Sequence, residues 1–357
     1  MNHRRRTLAL LAALAGTLAL AGCREQSASE AAAEQAARRA AARKERGLIA
    51  FVGASDRDPL WPVLKASAQR YDRRMCTLDV GYFCPRNDSP QEQIDLIRAL
   101  PPDKLRGLCL RLSNSAALER TLRDLHNAGV QIVSMIAPAP EEIRAAHVGF
   151  DETEVGMALA RAAADAVGPD GTIALLHAGM REPGSAARLS GFGHEMGRHR
   201  AVEVLAEIDC QADPFAARKE MADYLRRFPR LSAFVSLDDW AFRDLNSNGQ
   251  PLPAGGRLVT FGAYPEQWPL IRDGTLPVVV AANYREMGAQ ALQACEIATR
   301  AAARIKPLYL APPRTVTADN LDAFIADWNA WLRQNDELPP NLPTTRPGLP
   351  MACACMP

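Results

Sequence analysis

A surplus of charge is the first thing this 357-residue chain lacks: 42 Lys+Arg stand against 41 Asp+Glu, a formal net charge of +1. No global field draws it to nucleic acid or anionic lipid, so a charged partner has to be met locally. Aromatic residues are scarce at 6%, yet an apolar fraction of 48% is ample for buried cores and excludes disorder over most of the chain. The signatures of common catalysts are absent too: no H-E-x-x-H pair, no G-x-S-x-G elbow, no P-loop, no dinucleotide fingerprint. His177, His194 and His199 invite a metal or catalytic reading, but His194 and His199 are five apart and share no helical face. The chain reads as a non-enzyme, and no cofactor is expected.

An apolar run long enough to span a bilayer is also missing. The apolar stretch 8–21, behind Arg4, Arg5 and Arg6, is too short and reads as an export signal. It ends in "LALAGC", which resembles the bacterial lipobox. That resemblance implies a lipoprotein signal peptide over 1–22, cleavage before Cys23, and a lipid on Cys23 that anchors the protein to a membrane of the cell envelope, on its periplasmic side. Residues 23–46, "CREQSASEAAAEQAARRAAARKER", contain no large apolar side chain and read as a tether. As a helix it would reach about 35 Å.

With Cys23 lipidated, seven cysteines remain, an odd number that forbids complete internal pairing. Cys109, Cys210 and Cys295 fall in predicted elements and are expected as buried free thiols. Cys76 and Cys84 can close a loop only if "TLDVGYF" between them is not one straight strand. Cys353 and Cys355 lack the histidines or spacing of a zinc set. "DLNSNGQPLPAG" places Asp244, Asn246 and Asn248 as a calcium loop would and turns at Gly249. Its twelfth position, however, is Gly255 instead of a bidentate glutamate. No metal is expected.

Short apolar, β-branched runs recur, each followed by an amphipathic pattern. "GLIAFVGA", "TLDVGYF", "GLCLRL" and "VQIVSMIA" alternate with helices predicted near 60–74, 90–100 and 116–128. After "AAHVGFDE" the alternation restarts with "GTIALLHA", "AVEVLAEID", "LSAFVSL" and "GRLVTFGA", and helices near 152–167, 185–198, 214–228 and 264–273. "LPVVVAAN", a helix over 285–303, "LYLAP" and a helix over 318–333 are too few for a third core and must complete the first two. The expectation is an α/β protein of two doubly wound parallel-sheet lobes joined by a three-strand hinge. The N-terminal lobe would comprise 47–147 plus 283–307, and the C-terminal lobe 148–282 plus 308–335. The remainder, 336–357, reads as a Pro-rich tail. Ligands of such sheets bind outside the carboxyl ends of the strands, so the loop "SDRDPLW" after the first strand belongs at an inter-lobe cleft.

The order of these elements and several local sequences resemble the periplasmic sugar-binding proteins of the ribose-binding type, which share their lobes with LacI-family repressors. "DPLWPVLKASAQ" stands where that family has an Asn-Pro-aromatic-aromatic turn, and "SPQEQIDLIRAL" resembles its second helix. "HVGFDETEVGMALARAAAD" resembles the first crossover, "SAARLSGFGHEM" its arginine and Gly-Phe segment, "LVTFGAYPEQWPLIRDGTL" a strand and helix ending in Asp-Gly, and "TVTADN" the closing crossover. Carried over position by position, Asp58 stands at the first-loop asparagine, Leu60 and Trp61 at the two stacking aromatics, Arg188 at the arginine before Gly-Phe, and Phe261 at the phenylalanine closing its strand.

The departures are as informative. Ile136-Ala137 replace an Asp-Arg pair, Leu237 precedes Asp238-Asp239-Trp240-Ala241 where an asparagine is usual, Arg111 replaces an asparagine, and Gly262 an aspartate. Ala282 stands at the expected glutamine, beside Asn283. Most of the hydroxyl-binding set of a pentose site is missing, which favours a more apolar or anionic ligand with Arg111 and Arg188 as anion partners. The resemblance implies a monomeric solute-binding protein that takes a sugar or related small molecule between its lobes for an ABC-type permease. Docking on a membrane receptor, or a degenerate envelope module that binds no ligand, are the alternatives. Ligand contacts are expected from Asp58, Leu60, Trp61, Arg111, Arg188, Phe261 and Asn283.

Overall fold

The computed structural model describes residues 47–73, 78–87, 89–179, 184–211, 213–242, 257–301, 308–309 and 313–333. Cys23, Cys76, the segments 1–22 and 23–46, the calcium-like loop and the tail 336–357 lie outside the described residues.

The apolar runs form strands because aliphatic and β-branched residues fill both faces of a sheet that helices cover on either side. The first series is β1 (Leu48–Val52), α1 (Leu60–Asp72), β2 (Asp79–Phe83), α2 (Pro90–Arg98), β3 (Leu105–Arg111), α3 (Ser115–Asn127), β4 (Gln131–Met135) and β5 (Ala146–Gly149). The second is α4 (Glu152–Val167), β6 (Thr172–His177), α5 (Ser185–Met196), β7 (Glu203–Asp209), α6 (Pro214–Arg227), β8 (Ala233–Ser236), β9 (Leu258–Phe261), α7 (Trp268–Arg272) and β10 (Val279–Ala281). The chain then passes through α8 (Met287–Ala301), β11 (Leu308–Tyr309), β12 (Arg314–Val316) and α9 (Leu321–Leu332).

Two six-stranded sheets result, in the orders β11-β5-β4-β3-β1-β2 and β12-β10-β9-β8-β6-β7. Their pairings are parallel except for β12, which runs antiparallel to β10. The chain crosses between the sheets after β5, after β10 and between β11 and β12. This is the expected fold class of two doubly wound lobes with three crossings. β5 and β11 pair with each other in the first sheet. The first lobe's pieces therefore run past residues 147 and 307, where the sequence pattern placed their ends.

Local chemistry sets the helix starts. Ser89, Asn114, Asp151 and Asp213 each accept a backbone N–H in the first turn of α2, α3, α4 and α6. The helix expected over 264–273 is broken: a 3-10 turn, Pro265–Gln267, precedes the short α7. Pro269 has no N–H to return to residue 265, so one continuous helix cannot form. Cys109, Cys210 and Cys295 are buried free thiols, as expected, and Cys84 is a half-buried one.

Candidate functional site

The carboxyl ends of β1 and β3 build one side of the site. Asp58, in the turn before α1, uses both carboxylate oxygens: Oδ1 accepts the Leu60 N–H at 3.0 Å, and Oδ2 forms an ion pair with Arg111 at the end of β3. Gln93 on α2, fully buried, sets the backbone beneath them. Its Nε2 donates to the carbonyls of Gly53 and Arg111, both at 2.8 Å, and its Oε1 accepts from Ser113 N–H at 2.9 Å and Ser113 Oγ at 2.8 Å. All four hydrogen-bonding positions of the amide are used. Trp61 lies flat on the lobe with its ring stacked on Phe51, centroids 6.1 Å apart. Gly53 is required there, because a Cβ would fall 2.6 Å from the Trp61 ring and 2.7 Å from the Cys84 sulfur. Burial, then Asp58 and Asp56, push the Cys84 thiol up to about 12, so it stays protonated at neutral pH.

The opposite side centres on Arg188 of α5. Its Nε donates to Glu152 at 2.8 Å, its Nη2 to the same carboxylate oxygen, and its Nη1 to the Leu237 carbonyl at 2.7 Å and to Asp238. The guanidinium lies over the Phe261 ring, 4.9 Å from its centroid. Phe261 meets Phe150 edge-on at 6.1 Å, and Phe150 meets Tyr284 edge-on at 5.5 Å. The Tyr284 and Tyr264 hydroxyls are 3.0 Å apart. Burial raises the pKa of both phenols, and Asp239 adds to the rise. Arg111 acts on both phenols in the opposite sense, and Arg188 does so on Tyr284.

Burial also shapes the charges. Glu152 is raised, chiefly by burial, and the attraction of Arg188 offsets this only in part. Burial works against the Arg188 charge, but Asp238 and Glu152 outweigh it and hold the guanidinium protonated. Backbone strain marks the same strand ends. Ile136 after β4 has φ 65° and Ala263 after β9 has φ 58°, both left-handed conformations that side chains with a Cβ rarely adopt.

The structure thus brings Asp58 and Arg111 together, and Arg188 onto Phe261. Leu60 and Trp61 lie buried in lobe 1, at 1% and 9% exposure. Asn283 is half-buried and accepts the Arg285 N–H at 3.2 Å, shaping the turn into α8. Arg111 and Arg188, expected as anion partners, are both ion-paired within the protein. Among the described residues no group of three or more His, Cys, Asp and Glu is placed to hold a metal, and no helix is long and apolar enough to cross a membrane. His177 accepts the Gly179 N–H, and His199 faces Glu195, so both serve the fold.

Glu152, Gln93, Tyr264 and Tyr284 were not singled out from sequence. An acidic residue at a helix start reads as a response to the helix dipole, and a glutamine on an amphipathic helix as surface. The one available signal was position, since Glu152 and Tyr284 each follow a crossing between lobes.

Residues 49–300 match the family described as periplasmic binding protein domain. A search of curated protein sequences returned no match. Among solved structures, a solute-binding protein from Agrobacterium vitis bound to α-D-tagatopyranose aligns with a TM-score of 0.66 at 15% identity, over 79% of this chain and 98% of that one. An arabinose-binding protein from Geobacillus stearothermophilus gives 0.64 at 18%, over 78% and 99%. A solute-binding protein from Bacillus halodurans with bound myo-inositol gives 0.62 at 15%, over 79% and 98%. At such identities the likeness establishes the fold, and the matched family is one of binding proteins rather than enzymes. Spanning most of both lobes, that match places the chain in the periplasmic binding protein family.

Proposed function

We propose that this protein is a lipid-anchored solute-binding protein of the cell envelope that closes its two lobes on a small polyhydroxylated solute and delivers it to an ABC-type permease. The observation that carries the reading is the pair of fixed arginine clusters at the strand ends: Arg111, paired with Asp58, in lobe 1, and Arg188, held by Glu152 and Asp238 over Phe261, in lobe 2. Planar charged groups with fixed hydrogen bonds and an aromatic face suit a ring that carries hydroxyls on its edge and C–H on its faces. The neighbours with bound tagatopyranose and myo-inositol make carbohydrates and polyols the first class to try. The lipid on Cys23 belongs to the same proposal and rests on the "LAGC" sequence.

The test is thermal unfolding of the purified protein against sugars, polyols and sugar acids, followed by calorimetric titration of any hit. A stabilising solute whose effect is lost in Arg188→Ala and weakened in Asp58→Ala supports the reading. No shift across the panel with a cooperative unfolding transition would instead favour an envelope interaction module. That second reading draws on the buried Leu237 and Ala282, which stand where polar ligand contacts are usual in the ribose-binding type. Anchoring is tested separately: Cys23→Ser should move the protein from the membrane to the soluble fraction.

A further inference from the structure

We propose that the ion cluster Glu152–Arg188–Asp238 selects the charge of the ligand, favouring a polyhydroxylated amine such as an amino sugar over its neutral or acidic counterpart; the inference rests on the ligand-binding reading above. Two carboxylates surround one guanidinium. The side chains are only 19% exposed for Glu152, 27% for Asp238 and 8% for Arg188, so an excess negative charge sits in a largely desolvated position. Uncompensated charge in such a place is costly and calls for a counter-charge.

The protein supplies little of it among the described residues. Of the strongest influences on Glu152, Arg188 is the only cation, while Asp238 and Asp151 are both repulsive. On the facing lobe Arg111 is paired with Asp58.

Hydrogen bonding points the same way. Both Arg188 bonds to Glu152 end on Oε2, and the bond to Asp238 ends on Oδ1. Glu152 Oε1 and Asp238 Oδ2 accept no hydrogen bond among the described residues. The guanidinium, by contrast, already uses Nε, Nη1 and Nη2 and has its flat face on Phe261. The cluster therefore has acceptors to give and few donors, the reverse of what a carboxylate or phosphate ligand needs. An ammonium group brings three donors and the missing charge at once.

The test uses the full-length protein and three scaffolds, glucose, galactose and mannose, each as the 2-amino sugar, the parent sugar and the uronic acid. Thermal shift and calorimetric titration at pH 7 are the readouts. On a scaffold that binds, the amino sugar is expected to bind about tenfold or more tightly than the parent, with the uronic acid weakest. Glu152→Gln and Asp238→Asn should each shrink the ratio of amino-sugar to parent-sugar affinity, whatever they do to the affinity for the parent sugar itself. If parent and amine bind equally, or the uronic acid binds best, the charge selection is overturned and the proposed function stands. If no compound of any charge binds, both readings fall together.

Discussion

Gly156 on α4 lies directly against the backbone of Arg188 on α5: a Cβ at residue 156 would come within 1.9 Å of the Arg188 carbonyl oxygen. The contact is reciprocal, because a Cβ at Gly191 would come within 2.1 Å of the Thr153 carbonyl oxygen. Two helices packed this closely hold the residue at the centre of the site by its main chain. Gly156→Ala must push α5 away, since neither obstacle is a flexible side chain. The expected cost is about 2 kcal/mol of stability, as for other overpacked contacts. Denaturant unfolding should read that loss, and any ligand found for the cleft should bind more weakly because Arg188 has shifted.

Gln93 supports the other lobe's half of the site. Gln93→Ala leaves the Gly53 and Arg111 carbonyls and the Ser113 donors without their buried partner. Loss of such a network is expected to destabilise the protein by about 3 kcal/mol. Gln93→Glu keeps the acceptor for Ser113 but faces two carbonyls with a carboxylate, so it should not rescue the loss. Equal stability of Gln93→Glu and the parent protein in urea would contradict this account.

The C-terminal helix bridges the lobes. Buried Arg70 on α1 donates from Nη1 to the Trp331 carbonyl at 2.7 Å near the end of α9, while Trp328 of α9 meets Trp268 of α7 edge-on at 6.1 Å. Arg70→Ala should release the last turn of α9 from lobe 1 at a cost of about 2 kcal/mol. Hydrogen exchange is the discriminating measurement: amides of α9 should lose protection while those of β1 and β3 keep theirs. Unchanged protection in α9 would mean that its aromatic face alone holds it.

Acid should weaken lobe 1 through His147. Burial, then the nearby Arg144 charge, lowers its pKa from 6.5 to about 4, and its Nδ1 lies 3.0 Å from Ser134 Oγ. The folded state therefore holds the imidazole neutral where the unfolded chain takes up a proton. Its stabilising contribution is complete above pH 6.5 and is lost progressively as pH falls toward 4. That shift corresponds to about 3 kcal/mol over the window. Urea midpoints at pH 7 and pH 4.5 should differ by less in His147→Asn than in the parent protein. An equal drop in both would assign the acid sensitivity to other groups.

Much of the architecture was legible in the sequence because it depends on local pattern. The runs around Ala50, Leu108 and Val133 are apolar on both faces, which suits only a strand covered by helices on both sides. Their alternation with amphipathic segments implies parallel pairing. The break at Pro269 was missed because periodicity masks a missing N–H. For the candidate site, Asp58, Arg111, Arg188 and Phe261 were singled out from their placement at strand ends and from resemblance, but their partners were not. Nothing local says that Arg188 meets Glu152, 36 positions away, and Asp238, 50 positions away.

That difference decided the chemistry around the two arginines. The sequence alone determined two α/β lobes and the presence of two arginines at or beyond their strand ends, since hydrophobic period and turn chemistry act over a few residues. Only the tertiary structure decided that those arginines are neutralised by carboxylates. Whether a charge is available to a ligand depends on what packs within a few ångströms of it, and at Arg188 those neighbours come from three separate segments of the chain.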